Sequence, residues 1–152
     1  MAITSDHAFG GDLETVNIYS ALVAAKSVGQ ADLILVSMGP GIVGTGTRYG
    51  FSGIEQAYIL EAVERLGGTA IAIPRISFAD PRLRHKGLSH HSRTVLSSLT
   101  YARALIGIPY WNDDRDQVLA QQIREDRLEK KHQLLSVVAP PVRKMMDDHQ
   151  IE

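Results

Sequence analysis

The sequence contains no cysteine. This absence excludes disulfide bonds, thiolate metal sites and a cysteine nucleophile, and it agrees with the reducing cytoplasm, which is the location we expect. No apolar run reaches the roughly 20 residues that a membrane-spanning helix needs, and no signal peptide opens the chain. The sequence therefore predicts a cytoplasmic protein with no membrane partner.

A charge excess of either sign is also missing. Lys and Arg number 16 against 17 Asp and Glu, so the formal net charge is −1. Because no global field attracts polyanions, the composition disfavours a nucleic-acid partner, and any anion must be bound by a local patch. With 152 residues, of which 44% are apolar and 22% charged, residues 1–152 are expected to form one globular domain.

Apolar periodicity alternates between strands and helices five times along the chain. Strands are predicted at 2–5, 33–36, 69–73, 105–108 and 134–138, and helices at 13–28, 52–66, 90–103, 113–131 and 140–148. Asp12 and a capping box from Ser52 to Glu55 are expected to begin the first two helices. This alternation predicts a three-layer α/β/α domain with a mainly parallel, five-stranded, doubly wound, Rossmann-like sheet.

A glycine-rich loop separates the second predicted strand from the second predicted helix. Six of the thirteen glycines lie between residues 37 and 53. Gly39, Gly41 and Gly44 match G-x-G-x-x-G, but the helix does not open directly after them and no acid ends the following strand, so the usual NAD fingerprint is disfavoured. Thr47-Arg48 stands where a phosphate loop has Lys followed by Ser or Thr, which disfavours that ATPase class and leaves the cofactor unknown.

An anion site remains compatible with this loop, because glycines let backbone N–H groups approach a ligand closely. The expected anion-binding residues are Gly39, Gly41, Gly44, Thr45, Gly46, Thr47 and Arg48, with Arg82, Arg84 and Lys86 of a later basic loop. Loops 6–11, 39–51 and 75–89 leave predicted parallel strands at one edge, so we expect them to share a crevice. The alternatives are a tightly packed glycine turn and a solvated basic loop.

Histidine and aspartate side chains offer a second chemistry. The candidates for proton transfer are His7, Asp12, Asp80, His90 and His91, and the same residues with Asp6 and His85 are candidate metal ligands. Adjacent histidines point to different sides of a helix, so His90 and His91 are not expected to bind one ion together. The alternative for each histidine is a surface or hydrogen-bonded side chain without a catalytic role.

Several strings of the sequence resemble a bacterial family of unknown function from Firmicutes and Actinobacteria. These strings are 7–14, 38–47, 50–53 and 74–82 with 89–91, and they cover roughly the first two-thirds of the chain. Members of that family are longer, so the resemblance implies that this chain corresponds to their C-terminal portion and is a fragment of a longer protein. It implies no known activity and carries over no catalytic residues.

Three classes of function are therefore left open. The interpretation that the loops favour is binding of an anionic small molecule, either a nucleotide or a phosphorylated metabolite. A metal-assisted hydrolase that uses the histidines and aspartates is the second class, and a non-catalytic interaction module is the third. A homodimer formed through the last helix is compatible with the sequence on general grounds.

Overall fold

The computed structural model describes residues 1–39, 41–139 and 148. Within these residues the chain is a mixed α/β protein whose strands form three separate small sheets. The predicted last helix, and with it the dimer contact proposed for that helix, lies outside the described residues except for Asp148. No helix in the described part of the chain combines the length and apolar character that crossing a membrane requires.

The N-terminal segment forms a strand pair followed by a helix. Strand β1 (Ile3–Ser5) runs parallel to β2 (Leu13–Thr15), and helix α1 (Ile18–Ser27) follows. The single helix predicted from residue 13 is therefore wrong at its start. Since Leu13 pairs with Ile3, the backbone of this segment is extended where a helix was expected.

The start of α1 is set by Asn17 rather than by Asp12. Asn17 Oδ1 accepts a hydrogen bond from Ser20 N at 3.1 Å, and Ser20 Oγ accepts one from Asn17 N at 3.2 Å, which completes a reciprocal capping box. The Asp12 carboxylate instead accepts from Ala2 N at 2.8 Å. Asp12 thus binds the backbone at the start of the N-terminal strand and caps no helix.

The predicted buried strand at 33–36 is wrong. These residues are not in a strand, and Leu33 and Leu35 are 80% and 79% exposed. The described residues offer this segment no neighbouring strand, so its backbone remains outside the sheets. An apolar run favours a strand only where a partner strand pairs with it and covers it.

Helix α2 (Glu55–Arg65) follows a 3₁₀ turn at Ser52–Ile54. The expected capping box is not formed, and Ser52 Oγ instead accepts from Val43 N at 3.1 Å. The predicted stop is confirmed, since Gly67 follows the helix with φ +76°. The chain then enters β3 (Ile71–Ala72), which lies within the predicted strand.

The predicted loop 75–89 contains regular structure of its own. Strand β4 (Ile76–Ser77) pairs antiparallel with β5 (Gly87–Leu88), and a 3₁₀ turn at Leu83–His85 lies between them. Helix α3 (His90–Thr94) comes next and continues as a π-helical turn at Val95–Leu99. Short π-helical segments inside helices are often found at functional sites.

The C-terminal part follows the sequence prediction closely. Strand β6 (Leu105–Tyr110) leads into helix α4 (Asp114–Asp126), which is capped by Asp113. Arg127 breaks the predicted single helix with φ 54°, and a short α5 (Leu128–Lys131) precedes β7 (Gln133–Val138).

The prediction of a five-stranded doubly wound sheet is wrong. Strands β3, β6 and β7 form a parallel three-stranded sheet with β6 in the centre, and the other two sheets have two strands each. The first predicted strand pairs locally with β2, and the second predicted strand is not formed. The core lies around the central sheet and includes Leu88, Val95, Ile106, Leu119 and Leu128, each 1% exposed or less.

Candidate functional site

The glycine-rich segment ends in a small hairpin rather than in a loop that leaves a strand of the central sheet. Ser52 N donates to Val43 O at 2.8 Å, and Thr45 N donates to Gly50 O at 2.7 Å. The tip includes Gly46, whose φ of +79° favours glycine. Phe51, 5% exposed, packs into the core and anchors the hairpin.

The hairpin tip, the 3₁₀ turn, α3 with its π-helical continuation and the end of α4 line an open cleft of about 370 Å³. Its walls combine the hairpin backbone with polar and charged side chains. The lining residues are Gly46, Thr47, Arg48, Arg84, His90, Arg93, Thr94, Ser97 and Asp126. This volume is near the lower end of the roughly 300–1,000 Å³ range of small-molecule sites.

One of the three arginines in the cleft is already paired with acids. Arg93 Nη2 lies 3.0 Å from Asp126 Oδ1 and 3.1 Å from Glu125 Oε2, and its Nε donates to the other Asp126 oxygen. Such a paired guanidinium holds α3 against α4 and has little charge left for a ligand. Its main role here is therefore to shape the cleft wall.

The other two arginines of the cleft have no such partner. Arg48 Nη2 donates to Ser98 Oγ at 3.0 Å, and Arg84 Nε donates to His85 Nε2 at 3.3 Å. No acid within residues 1–39 and 41–139 forms a salt bridge with Arg48 or Arg84. Two guanidinium groups that line the same cleft therefore carry a positive charge that no described carboxylate compensates.

A cluster of three histidines adjoins the cleft. His85, His90 and His91 each bring one ring nitrogen to within 4.8 Å of the others. The ring centroids of His90 and His91 are 4.2 Å apart, so the expectation that these neighbours diverge is wrong. Both rings turn toward His85, which the 3₁₀ turn places beside the start of α3.

The histidine cluster is held by buried neighbours. Ser89 Oγ lies 2.7 Å from His85 Nδ1 and accepts from His91 N at 3.3 Å, and Ser89 is fully buried. The ring of His91 stacks on Phe51 with a centroid separation of 4.1 Å and an interplanar angle of 13°. His91 Nδ1 is buried, and no described residue forms a hydrogen bond with it.

Burial favours the neutral form of these imidazoles. It is the main cause that lowers the pKa of His85, His90 and His91 below the ordinary value, and neighbouring cationic groups lower it further. The pKa of His91 falls to about 4. Neutral imidazole has a free lone pair, so the cluster can accept a proton, a hydrogen bond or a metal ion.

Asp80 lies beside the histidine cluster as a structural counter-ion. Its carboxylate accepts from Arg75 Nη2 at 2.8 Å and from Arg82 Nη2 at 2.9 Å. The hydrogen bonds from Arg82 are the main cause that holds the pKa of Asp80 far below its usual range. Asp80 is therefore ionised and does not supply protons at neutral pH, and Arg82 is already engaged.

Only part of the predicted anion site lines the cleft. Gly46, Thr47, Arg48 and Arg84 line it, whereas Gly39, Gly41, Gly44, Thr45, Arg82 and Lys86 do not. The hydroxyl groups of Thr45 and Thr47 lie 3.0 Å apart and bond to each other. Two of the three loops that were expected to share a crevice, 39–51 and 75–89, thus contribute residues to one cleft. They do not meet at the edge of a five-stranded sheet, because that sheet is not formed.

The predicted catalytic residues separate into two groups. His90 lines the cleft, His90 and His91 both belong to the histidine cluster, and Asp80 is linked to that cluster through Arg75. His7 is exposed in the N-terminal unit, where Asp12 binds the backbone of Ala2, and neither residue lines the cleft. The loop at 6–11 therefore contributes no lining residue.

Sequence reasoning selected His90 but missed the other residues on the α3 side of the cleft. His90, Arg93, Thr94 and Ser97 all line it, and their spacing of i, i+3, i+4 and i+7 places them on one helical face. This polar stripe could have been recognised from the sequence. The contribution of Asp126 from α4 had no comparable signal, because it depends on the long-range pairing with Arg93.

Comparison with known proteins identifies the family but no activity. The chain belongs to the DUF3866 family, a protein family of unknown function, whose model matches residues 1–152. No curated protein and no solved structure matches the chain. Any functional assignment must therefore rest on the site itself.

Proposed function

We propose that the cleft binds an anionic small molecule, a nucleotide or a phosphorylated metabolite. The observation that carries this proposal is the position of Arg48 and Arg84 on one cleft without a described acid partner. Guanidinium groups bind phosphate and carboxylate oxygens with charge-assisted, often bidentate hydrogen bonds. An anion is the ligand that satisfies both groups together.

The remaining lining residues support the same chemistry. Gly46 has no Cβ and a φ of +79°, so the hairpin backbone at this point is open to a ligand. Asp126 is the one acid among the described lining residues, and Arg93 neutralises it. The charge on the cleft walls is therefore positive.

The position of His90 adds a polar group next to the anion. Its imidazole lines the cleft, and burial holds its pKa below the ordinary value, so it is neutral at pH 7. A neutral imidazole donates one hydrogen bond and accepts another. His90 can thus hydrogen-bond to a phosphate ester that is bound at the cleft.

Calorimetric titration tests the proposal. The ligands are inorganic phosphate, adenosine monophosphate and a sugar phosphate, and the variants are Arg48→Ala and Arg84→Ala. A hydrogen bond to a charged group contributes about 1.5–3 kcal/mol, so each variant should weaken binding by roughly 10- to 100-fold. Arg103→Ala is the matched control, because Arg103 is an exposed arginine that does not line this cleft.

The outcomes separate the proposal from its alternatives. Wild-type protein that binds none of these anions would overturn it. Binding that both cleft variants retain at wild-type strength would place the anion elsewhere. Arg48→Lys keeps the charge but loses the planar fork, so it should bind more weakly than wild type and more tightly than Arg48→Ala.

A further inference from the structure

We infer that His85, His90 and His91 bind one divalent transition-metal ion of the zinc type beside the anion cleft. The three imidazoles supply the ligand set, and the bound anion occupies a further coordination position. The identity of this last ligand rests on the proposed function, whereas the three-histidine site stands independently of it.

The spacing of the ring nitrogens supports this inference. One nitrogen of each ring lies within 4.8 Å of the others. Tetrahedral zinc with Zn–N distances of about 2.0–2.1 Å separates two nitrogen ligands by roughly 3.4 Å. Side-chain rotations that move each ring nitrogen by about an ångström would bring the nitrogens to the separation that zinc requires. Three imidazoles leave a coordination position open, as in catalytic zinc sites.

Groups around the three rings resemble the outer shell of a metal site. His85 Nδ1 lies 2.7 Å from Ser89 Oγ and 3.3 Å from Arg75 Nη1. The shorter contact favours an Nδ1–H that donates to Ser89, and this tautomer leaves the lone pair of Nε2 for a metal. Arg84 Nε now lies 3.3 Å from that atom. Metal binding would displace Arg84 from His85 and leave its guanidinium available to the anion.

His91 supplies a separate indication of a missing ligand. Its Nδ1 is buried and has no hydrogen-bond partner among the described residues. A buried polar atom without a partner is destabilising, and a ligand that reaches it would remove this cost. Phe51 stacks on the same ring at 4.1 Å and holds its orientation.

Local charge predicts that the metal and the anion bind together. Arg75 and Arg84 both lie 3.3 Å from ring nitrogens of His85, and Asp80 offsets the charge of Arg75. Repulsion from these guanidinium groups weakens the binding of a dication without preventing it, and an anion reduces this repulsion. Because binding free energies are linked, each ligand must strengthen the binding of the other by the same factor.

A titration of the metal-free full chain with Co²⁺ tests the site. Protein prepared without a histidine tag is titrated first in the absence and then in the presence of inorganic phosphate. We expect one equivalent of Co²⁺ with the visible absorption of tetrahedral coordination. Phosphate should tighten Co²⁺ binding at least about fivefold, which is the lower end of typical coupling.

Variants assign the ligands and separate the two proposals. His90→Ala should weaken Co²⁺ binding by more than the roughly 100-fold that loss of an outer-shell partner reaches. His7→Ala, an exposed histidine outside the cluster, should leave it unchanged. Arg48→Ala should retain Co²⁺ binding in phosphate-free buffer and lose the phosphate enhancement.

A measurement on the wild type keeps the inference testable where a variant does not fold. Nuclear magnetic resonance of the imidazole nitrogens during Zn²⁺ titration should shift one nitrogen each of His85, His90 and His91 and leave His7 unchanged. Shifts confined to other histidines would overturn the site.

The negative outcomes differ for the two proposals. Absence of Co²⁺ binding with and without phosphate overturns the metal site, and phosphate binding to the same sample would still support the anion cleft. Metal binding at wild-type strength in His90→Ala also overturns the three-histidine site. Metal binding without any phosphate binding overturns the proposed function and the coupling, but supports the three-histidine site.

Discussion

Glu61 of α2 connects this helix to the turn that precedes the central strand β6. Its Oε1 accepts hydrogen bonds from Thr100 Oγ1 at 2.9 Å, from Ala102 N at 2.9 Å and from Tyr101 N. Ala102 is fully buried, and β6 begins shortly after it at Leu105. We predict that Glu61→Ala destabilises the protein by loosening this turn.

The magnitude follows from the three donors. Hydrogen bonds to a charged group contribute about 1.5–3 kcal/mol each, but water can replace the carboxylate at Tyr101, which is 91% exposed. Ala102 N keeps a second acceptor in Thr100 Oγ1 at 3.1 Å. The net loss in free energy of unfolding should therefore be about 2–4 kcal/mol. Glu61→Gln keeps one carbonyl acceptor and should lose about 1 kcal/mol.

Urea unfolding followed by circular dichroism measures this loss. Gln56→Ala is the control, because Gln56 is exposed on the same helix and no described residue is hydrogen-bonded to its side chain. The control should change the free energy of unfolding by less than about 0.5 kcal/mol. A loss below about 1 kcal/mol in Glu61→Ala would refute the argument that this carboxylate holds the turn.

Two further predictions concern the site. The pKa of His91 in the folded protein is about 4, below its ordinary 6.5, so protonation of His91 favours the unfolded state. The stability of the protein should therefore be complete above pH 6.5 and fall as the pH drops toward 4. Urea midpoints from pH 7.5 to 4.5 should decline less steeply in His91→Phe, and equal slopes would contradict this. A Cβ at Gly50 would overlap the hydroxyl oxygens of Thr45 and Thr47 and force these side chains to rotate, so Gly50→Ala should cost about 0.5–1.5 kcal/mol and weaken phosphate binding. Gly39→Ala, where no described atom lies within 4 Å of the added Cβ, should change neither quantity.

Local sequence signals predicted several elements well. The strands predicted at 105–108 and 134–138 are confirmed as β6 and β7, and the helix expected after Asp113 is confirmed as α4. In each of these elements the apolar pattern and the capping residues favour the same secondary structure that the tertiary contacts stabilise. At 33–36 the same type of apolar pattern was misleading, because nothing local indicates whether a partner strand is present.

The candidate site was predictable in its residue types more than in its arrangement. Arg48, Arg84, His90 and His91 were all selected from their sequence context, and all four lie at the cleft or in the histidine cluster. The convergence of His85 with the other two histidines depends on the 3₁₀ turn and on β5, which no periodicity within 75–89 revealed.

The sequence by itself determined which chemical groups the chain contains. It has no thiols, a glycine-rich segment that permits a tight hairpin, and a basic, histidine-rich segment ahead of α3. Tertiary structure decided which of these groups meet. Arg93 pairs with Asp126 across 33 residues, whereas no described acid pairs with Arg48. The physical reason is that helix periodicity and caps act over a few residues, while strand order, ion pairing and burial depend on contacts between distant segments.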